Sequence, residues 1–334
     1  VEVHVEPWAP GVVEDEMGAV IDLRELIFRY RDEEQIDGAV LVGQLPVAWY
    51  EQEAFDTEER FPMDSYLQDR DAVWTDADED GILDGHSPLE LDIYTSRIDG
   101  SAEELREYFD RVDYYRNIGP LVEVRAFVFI DDPWAQRIDS QAEHLDQIYE
   151  DVLLMYEPAD TSFANYCDVL TGDGAEFVFQ GSHSDTTYLK IEHEGNVDTC
   201  YCSDVVDLAF RGSFFNLFNC SAARFTQEPN LAHAYLLDTG YGLAVVGSTK
   251  IGAIWDSRVF HRRLSEGRTW GRAYLDWYNE VGVKKDDWHL GIVLMGDPLL
   301  HLYPRSDAPR QVSELSSFQP SSPEYDDIMR EIAR

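Results

Sequence analysis

Lysine is almost missing from this chain. Among 334 residues only Lys190, Lys250, Lys284 and Lys285 carry an ammonium group; arginine supplies the rest of the 26 basic side chains, and 66 acidic ones leave a net charge of −40 at pH 7. A surface this anionic argues against nucleic acid and anionic membranes as partners, since both would be repelled, and it draws in basic peptides. It also suits a salty medium, where screening relieves self-repulsion. Cysteine is scarce. Cys167, Cys200, Cys202 and Cys220 are too few to scaffold a chain of this length with disulfides. A bridge from Cys167 to Cys200 or Cys202 is open, but Cys-Tyr-Cys has the wrong spacing for a zinc site. No run of about eighteen apolar residues exists to span a membrane. No signal peptide is visible and Val1 is not an initiator Met, so the chain reads as a processed or partial form of a longer, secreted or cell-surface precursor.

What is present is a globular composition, 44% hydrophobic and 13% aromatic, enough to bury a sizeable core. Apolar residues at helical spacing run from Val12 to Arg31, and Ala39–Gly43 reads as a strand. The stretch Phe55–Pro88 is acidic and turn-rich, and Leu89–Ile98 reads as extended. Ser101 with Glu104 opens a capped helix reaching Ile118. Beyond Gly119-Pro120 the expected elements are strand Leu121–Ile130, helix Ser140–Met155, strands Glu176–Gln180 and Phe214–Phe218, helix Asn230–Leu237, strand Gly242–Gly247, helix Arg268–Glu280 and strand Leu290–Met295. This alternation predicts an α/β protein, a three-layer α/β/α sandwich on a largely parallel sheet. The expected units are an N-terminal α/β subdomain over 1–119, a second subdomain over 120–304, and a linker and tail over 305–334.

Two of these strands end in reactive side chains. Phe177–Gln180 leads into Gly181-Ser182-His183-Ser184, and Phe214–Phe218 leads into Asn219-Cys220-Ser221. Parallel strands present their carboxyl ends along one edge, so an imidazole and a thiol can meet there as nucleophile and proton-transfer group. Strand-to-loop junctions also leave backbone N–H groups free to hold an oxyanion.

In these motifs the chain resembles the gingipain-type cysteine peptidases of the caspase-like clan, over most of residues 37–304. Phe177–Leu189 is similar to the family's histidine strand and Phe214–Phe225 to its cysteine strand. Gly242–Thr249 followed by Trp255 is similar to the next strand and a pocket-lining tryptophan, and Gly296-Asp297-Pro298 to the closing motif. The resemblance implies a cysteine endopeptidase cleaving after Arg or Lys. Cys220 would be the nucleophile, His183 the proton carrier, and Asp132, or its neighbour Asp131, the acid orienting the histidine. The N–H groups of Cys220 and Ser184 would form the oxyanion hole. Asp139 would sit at the base of the primary pocket with Trp255 as a stacking wall, although Asp139 also reads as an ordinary helix N-terminal residue. The family pattern has glycines where this chain has Ser182, Ser184 and Ala223, which would be strained if those positions need φ > 0. The alternative implied by that departure is an inactive relative that binds peptides or a partner domain in the same crevice.

A separate signal is Asp76-Ala-Asp78-Glu-Asp80-Gly-Ile82-Leu-Asp84. Carboxylates at Asp76, Asp78, Asp80 and Asp84, the Ile82 carbonyl and Gly81 at the turn match the first part of a calcium loop. The bidentate acid at the twelfth place is missing, since that place is Ser87, and Glu90 or Asp92 are the candidates to replace it. Calcium would relieve the repulsion among these carboxylates in a structural role, and no organic cofactor is expected.

Overall fold

The computed structural model of the chain describes residues 4–8, 16–252 and 255–303, so the expected tail over 305–334 lies outside the described residues. Eight strands build the central sheet: β1 (Gly38–Val42), β2 (Tyr94–Ile98), β3 (Ala126–Ile130), β4 (Val152–Met155), β5 (Ala175–Gly181), β6 (Gly212–Phe218), β7 (Ala244–Ser248) and β8 (Ile292–Gly296). Their order across the sheet is β1-β2-β8-β7-β6-β5-β3-β4. Every neighbouring pair is parallel except β7 and β8, so two parallel blocks run in opposite directions and meet at that one antiparallel seam. With helices on the sheet the architecture is a mixed α/β fold consistent with a three-layer α/β/α sandwich. Strand β8, late in the chain, sits between β2 and β7, so the segments on either side of Gly119 share one sheet.

The core explains which strands are easy to see in the sequence. Every residue of β2, β3, β5, β6, β7 and β8 is buried, whereas the outer strands β1 and β4 are half-exposed. Strands covered on both faces read as unbroken apolar runs. Phe127, Phe129, Phe177, Phe179, Phe214 and Phe215 are fully buried. Each such ring contributes roughly 1.5–3 kcal/mol, and together they fix the three strands that carry the site. The Ser101 capping box forms as expected: Ser101 Oγ accepts from Glu104 N, and Glu104 Oε2 accepts from Ser101 N at 2.6 Å.

Two expectations are corrected. The helix expected over Ser140–Met155 is a short helix Ile138–Ala142, broken at His144 (φ +73), and its last residues form edge strand β4. The apolar run Val152–Met155 satisfies either period, and pairing with β3 decides it. The stretch expected over Phe55–Pro88 to be turn-rich opens with a strand, Thr57–Met63, that forms an antiparallel hairpin with Ala48–Ala54 just before it. Its two-residue turn, Phe55 and Asp56, has φ of +50 and +60, the twist that suits a tight hairpin. The helix expected near Asn230–Leu237 is present, capped by Asn230, and widens into a π-type turn over Ala234–Asp238. Among the described residues, no helix is long and apolar enough to cross a membrane.

The two edges of the β5–β6 block differ. At the amino edge Glu176 is buried, takes a hydrogen bond from Tyr115 Oη at 2.5 Å and another from Tyr303 N at 3.0 Å, and burial pushes its carboxyl up to about 7. The carboxyl edge carries the reactive groups.

Candidate active site

Strands β5 and β6 pair in register, with Phe177 opposite Phe214 and Gly181 opposite Phe218. Neighbouring strands lie about 4.8 Å apart. His183 and Cys220 each stand two residues beyond the last paired position, so the topology brings their backbones together at one edge. The loops are tied to each other directly: Ser184 Oγ donates to the Cys220 carbonyl at 2.5 Å.

A buried polar chain lies beneath them. Tyr166 and Tyr235 both donate to Gln180 Oε1, at 2.5 and 2.8 Å. Gln180 Nε2 donates to Asn219 Oδ1 at 2.8 Å, and Asn219 Nδ2 donates to the Ser182 carbonyl at 2.7 Å. Gln180 and Asn219 are the residues from which each reactive loop departs, and both are buried. Satisfied networks of this kind rigidify what they join. The spacing of the loops is thus set by hydrogen bonds that neither reactive side chain has to make.

His183 is exposed, with the Trp134 ring centroid 5.7 Å from its own. It begins a short strand, His183–Asp185, paired antiparallel with Tyr188–His193, and among the described residues its ring makes no hydrogen bond or ion pair. The Cys220 thiol is half-buried and accepts a hydrogen bond from Gly252 N at 3.4 Å. Burial pushes the thiol up; the Gly252 amide and the Lys250 ammonium act the other way, and Glu59 and Asp185 add to the rise. The Cys220 backbone N–H has no protein acceptor among the described residues, because the chain turns away next: Ser221 (φ +52) donates to Lys250 O at 2.9 Å, and Ala223 N donates to Ser248 O at 2.8 Å. The left-handed residue here is Ser221. Ser182, Ser184 and Ala223 do not have positive φ, so they need no glycine for conformational freedom.

The remaining expected residues fall as follows. Asp132 Oδ2 accepts from Glu194 N at 2.9 Å and Oδ1 from Thr161 Oγ1 at 3.3 Å, and it makes no hydrogen bond to His183. Asp131 is buried, with one oxygen accepting from Glu192 N at 3.1 Å and the other unpaired; burial pushes it up to about 7. These two acids brace the Tyr188–His193 strand and its turn. Asp139 is exposed on the Ile138–Ala142 helix. Trp255, expected as an open pocket wall, is instead 1% exposed and packs edge-on against Trp277 with ring centroids 4.5 Å apart. An indole face so enclosed is core, and the aromatic beside His183 is Trp134. All four cysteines are free thiols.

In the acidic loop, the carboxylates of Asp78 and Asp80 converge with Glu51 from the hairpin, their oxygens lying within 4.8 Å of one another. Asp76 and Asp84 turn to loop amides instead: Asp76 Oδ2 accepts from Gly81 N at 2.8 Å and Asp84 Oδ2 from Ala77 N at 2.9 Å. The proposed replacements are elsewhere, Asp92 accepting from Arg70 N at 2.9 Å and Glu90 outside the convergent group. Arg60 reaches both Glu51 (2.9 Å) and Asp80 (3.0 Å). Sequence reasoning gave no role to Glu51, Trp134, Gln180, Asn219, Lys250 and Gly252. Gln180 and Asn219 stand inside the two strand-end motifs and Gly252 just beyond the strand that follows the cysteine, whereas Glu51 and Trp134 sit in segments with no motif of their own. No protein-family model matches the chain, and no curated protein matches it.

Proposed function

We propose that the chain is a cysteine endopeptidase that cleaves after arginine or lysine, with Cys220 as nucleophile and His183 as proton carrier. The observation that carries this reading is the delivery of His183 and Cys220 from adjacent parallel strands, each two residues past the paired Gly181 and Phe218. The ordered resemblance of the surrounding motifs to gingipain-type peptidases supports it, as does the partly exposed thiol.

In the mechanism this implies, the thiol proton passes to His183 as sulfur attacks the scissile carbonyl. The carbonyl oxygen takes the electron pair and is held by the Cys220 N–H, which has no protein acceptor among the described residues, and by the Ser184 N–H. The C–N bond then breaks as His183 protonates the leaving amine; water next attacks the thioester with its proton passing to His183, the C–S bond breaks, and His183 returns the proton to the departing sulfur. A thiol kept neutral by burial fits a site in which no ion pair exists before substrate arrives. The net charge of −40 and exposed Asp139 favour a basic substrate.

A structural calcium ion belongs to the same reading. Glu51, Asp78 and Asp80 bring three carboxylates together against the single guanidinium of Arg60, and that excess negative charge with all-oxygen donors suits a hard divalent cation. Calcium would tie the acidic loop to the hairpin.

The test is an arginyl acyloxymethyl ketone followed by mass spectrometry, alongside hydrolysis of an arginine-containing fluorogenic peptide. An adduct on Cys220, with turnover lost in Cys220→Ala and His183→Ala, supports the proposal. Peptide binding without turnover or adduct ends it in favour of a non-catalytic peptide-binding domain.

A further inference from the structure

The hairpin tip reaches the reactive sulfur through one glycine. Gly252, whose N–H touches Cys220 Sγ at 3.4 Å, has φ +75. A Cβ there would stand 2.7 Å from Phe55 Cε2 and 2.8 Å from Trp288 Cζ3. Two rings therefore bracket this glycine, and they meet edge-on with centroids 5.7 Å apart. Phe55 is 64% exposed and holds a left-handed turn conformation that bulky residues avoid, so core burial does not explain an aromatic at that place. The hairpin is stitched to the segment after β7 on both sides of the bracket: Glu59 Oε1 accepts from Ile251 N at 3.0 Å, and Gln52 Nε2 donates to Asp287 O at 2.9 Å.

We infer that the Phe55–Trp288 bracket positions the Gly252 amide as the donor that stabilises Cys220 in its thiolate form. Phe55 and Trp288 are positioning residues, acting on the sulfur through Gly252. A hydrogen bond to an ionised acceptor is roughly twice as strong as one to a neutral acceptor, so the amide favours the thiolate over the thiol. The other groups facing the sulfur are Lys250 after β7, which favours the anion, and Glu59 on the hairpin and Asp185 after β5, which oppose it; His183 begins the short strand His183–Asp185 that follows β5. Lys250 is itself held by the bracket, its Nζ 5.7 Å from the Trp288 ring and donating to Ile251 O at 3.0 Å. Loosening the bracket thus removes a donor and frees the neighbouring cation together.

The consequence for turnover rests on the peptidase reading, but the test does not. The pH profile of iodoacetamide alkylation is followed on the Cys220 peptide by mass spectrometry, in the unmodified chain and in Phe55→Ala, Trp288→Ala and Phe55→Tyr. The expected result is a midpoint raised by about one pH unit in both alanine variants, which is about tenfold less thiolate below both midpoints, and a midpoint restored in Phe55→Tyr. A midpoint that is unchanged or falls in the folded alanine variants overturns the inference. A shifted midpoint in a protein without peptide turnover leaves the bracket standing and removes the peptidase; turnover with an unshifted midpoint does the reverse.

Discussion

Asn219 is the residue whose loss should show that the reactive loops are held by the network beneath them. It is 3% exposed, accepts from Gln180 Nε2 at 2.8 Å, and donates to the Ser182 carbonyl at 2.7 Å and to Ser182 Oγ at 3.1 Å. Asn219→Ala leaves a buried amide donor and a buried carbonyl without partners. Each orphan costs about 1–3 kcal/mol, so the expected loss is about 2–6 kcal/mol, a large share of the stability of an ordinary domain. Urea unfolding should show a lowered midpoint with an unchanged slope. Asn219→Asp gives the more searching test, because it keeps the shape but cannot donate to Ser182 when ionised. Burial would hold that carboxyl above its unfolded value, so the folded state keeps a proton the unfolded chain has lost. Stability of Asn219→Asp relative to the unmodified chain should then fall as pH rises from about 4. A loss in Asn219→Ala below about 1 kcal/mol, with no pH dependence in Asn219→Asp, would refute the reasoning.

Asp131 carries a related prediction. With its carboxyl pushed up from 3.8 to about 7, the folded state binds the extra proton, so this group's stabilisation is full at low pH and declines as pH rises through that window. Each tenfold difference in proton affinity between the folded and unfolded chain is worth about 1.4 kcal/mol, and Asp131→Asn should flatten the decline in a series of urea titrations between those limits. Calcium should raise the thermal midpoint, by the equivalent of about 2.7 kcal/mol at a hundredfold excess over its dissociation constant; Glu51→Gln should remove most of that rise, and equal rises in both proteins would count against the site. Ser184→Gly, which installs the glycine of the resembled motif, should destabilise by roughly 1 kcal/mol, because it deletes the Ser184 Oγ bond to Cys220 O and relieves no positive φ. A gain in thermal midpoint would contradict this.

How much of this was legible in the sequence depended on what each segment buries. Phe177–Gln180 and Phe214–Phe218 could be read at sight because both faces of β5 and β6 are covered, so nothing interrupts their apolar runs, and the residues at their ends followed from strand direction alone. The hairpin from Ala48 to Met63 could not be read that way. Its outer half is Glu51-Gln52-Glu53 and Glu58-Glu59-Arg60, with no apolar alternation, and it is held by contacts to residues near 250 and 287 that no local pattern encodes. Trp255 shows the converse limit: a tryptophan after a strand can wall a crevice or fill a core, and packing on Trp277 decides for the core. The departures from glycine at Ser182 and Ser184 looked like strain because a motif reports which residue is usual, without reporting why. In this chain the left-handed position is Ser221, one residue past the cysteine, and the serine at 184 instead supplies a hydroxyl that binds the two loops together. The same physical requirement, two loops fixed side by side at a sheet edge, is met by hydrogen bonds from side chains at places where another sequence could meet it with close backbone approach. That substitution of means is invisible to pattern matching and follows directly once the register of β5 on β6 is known.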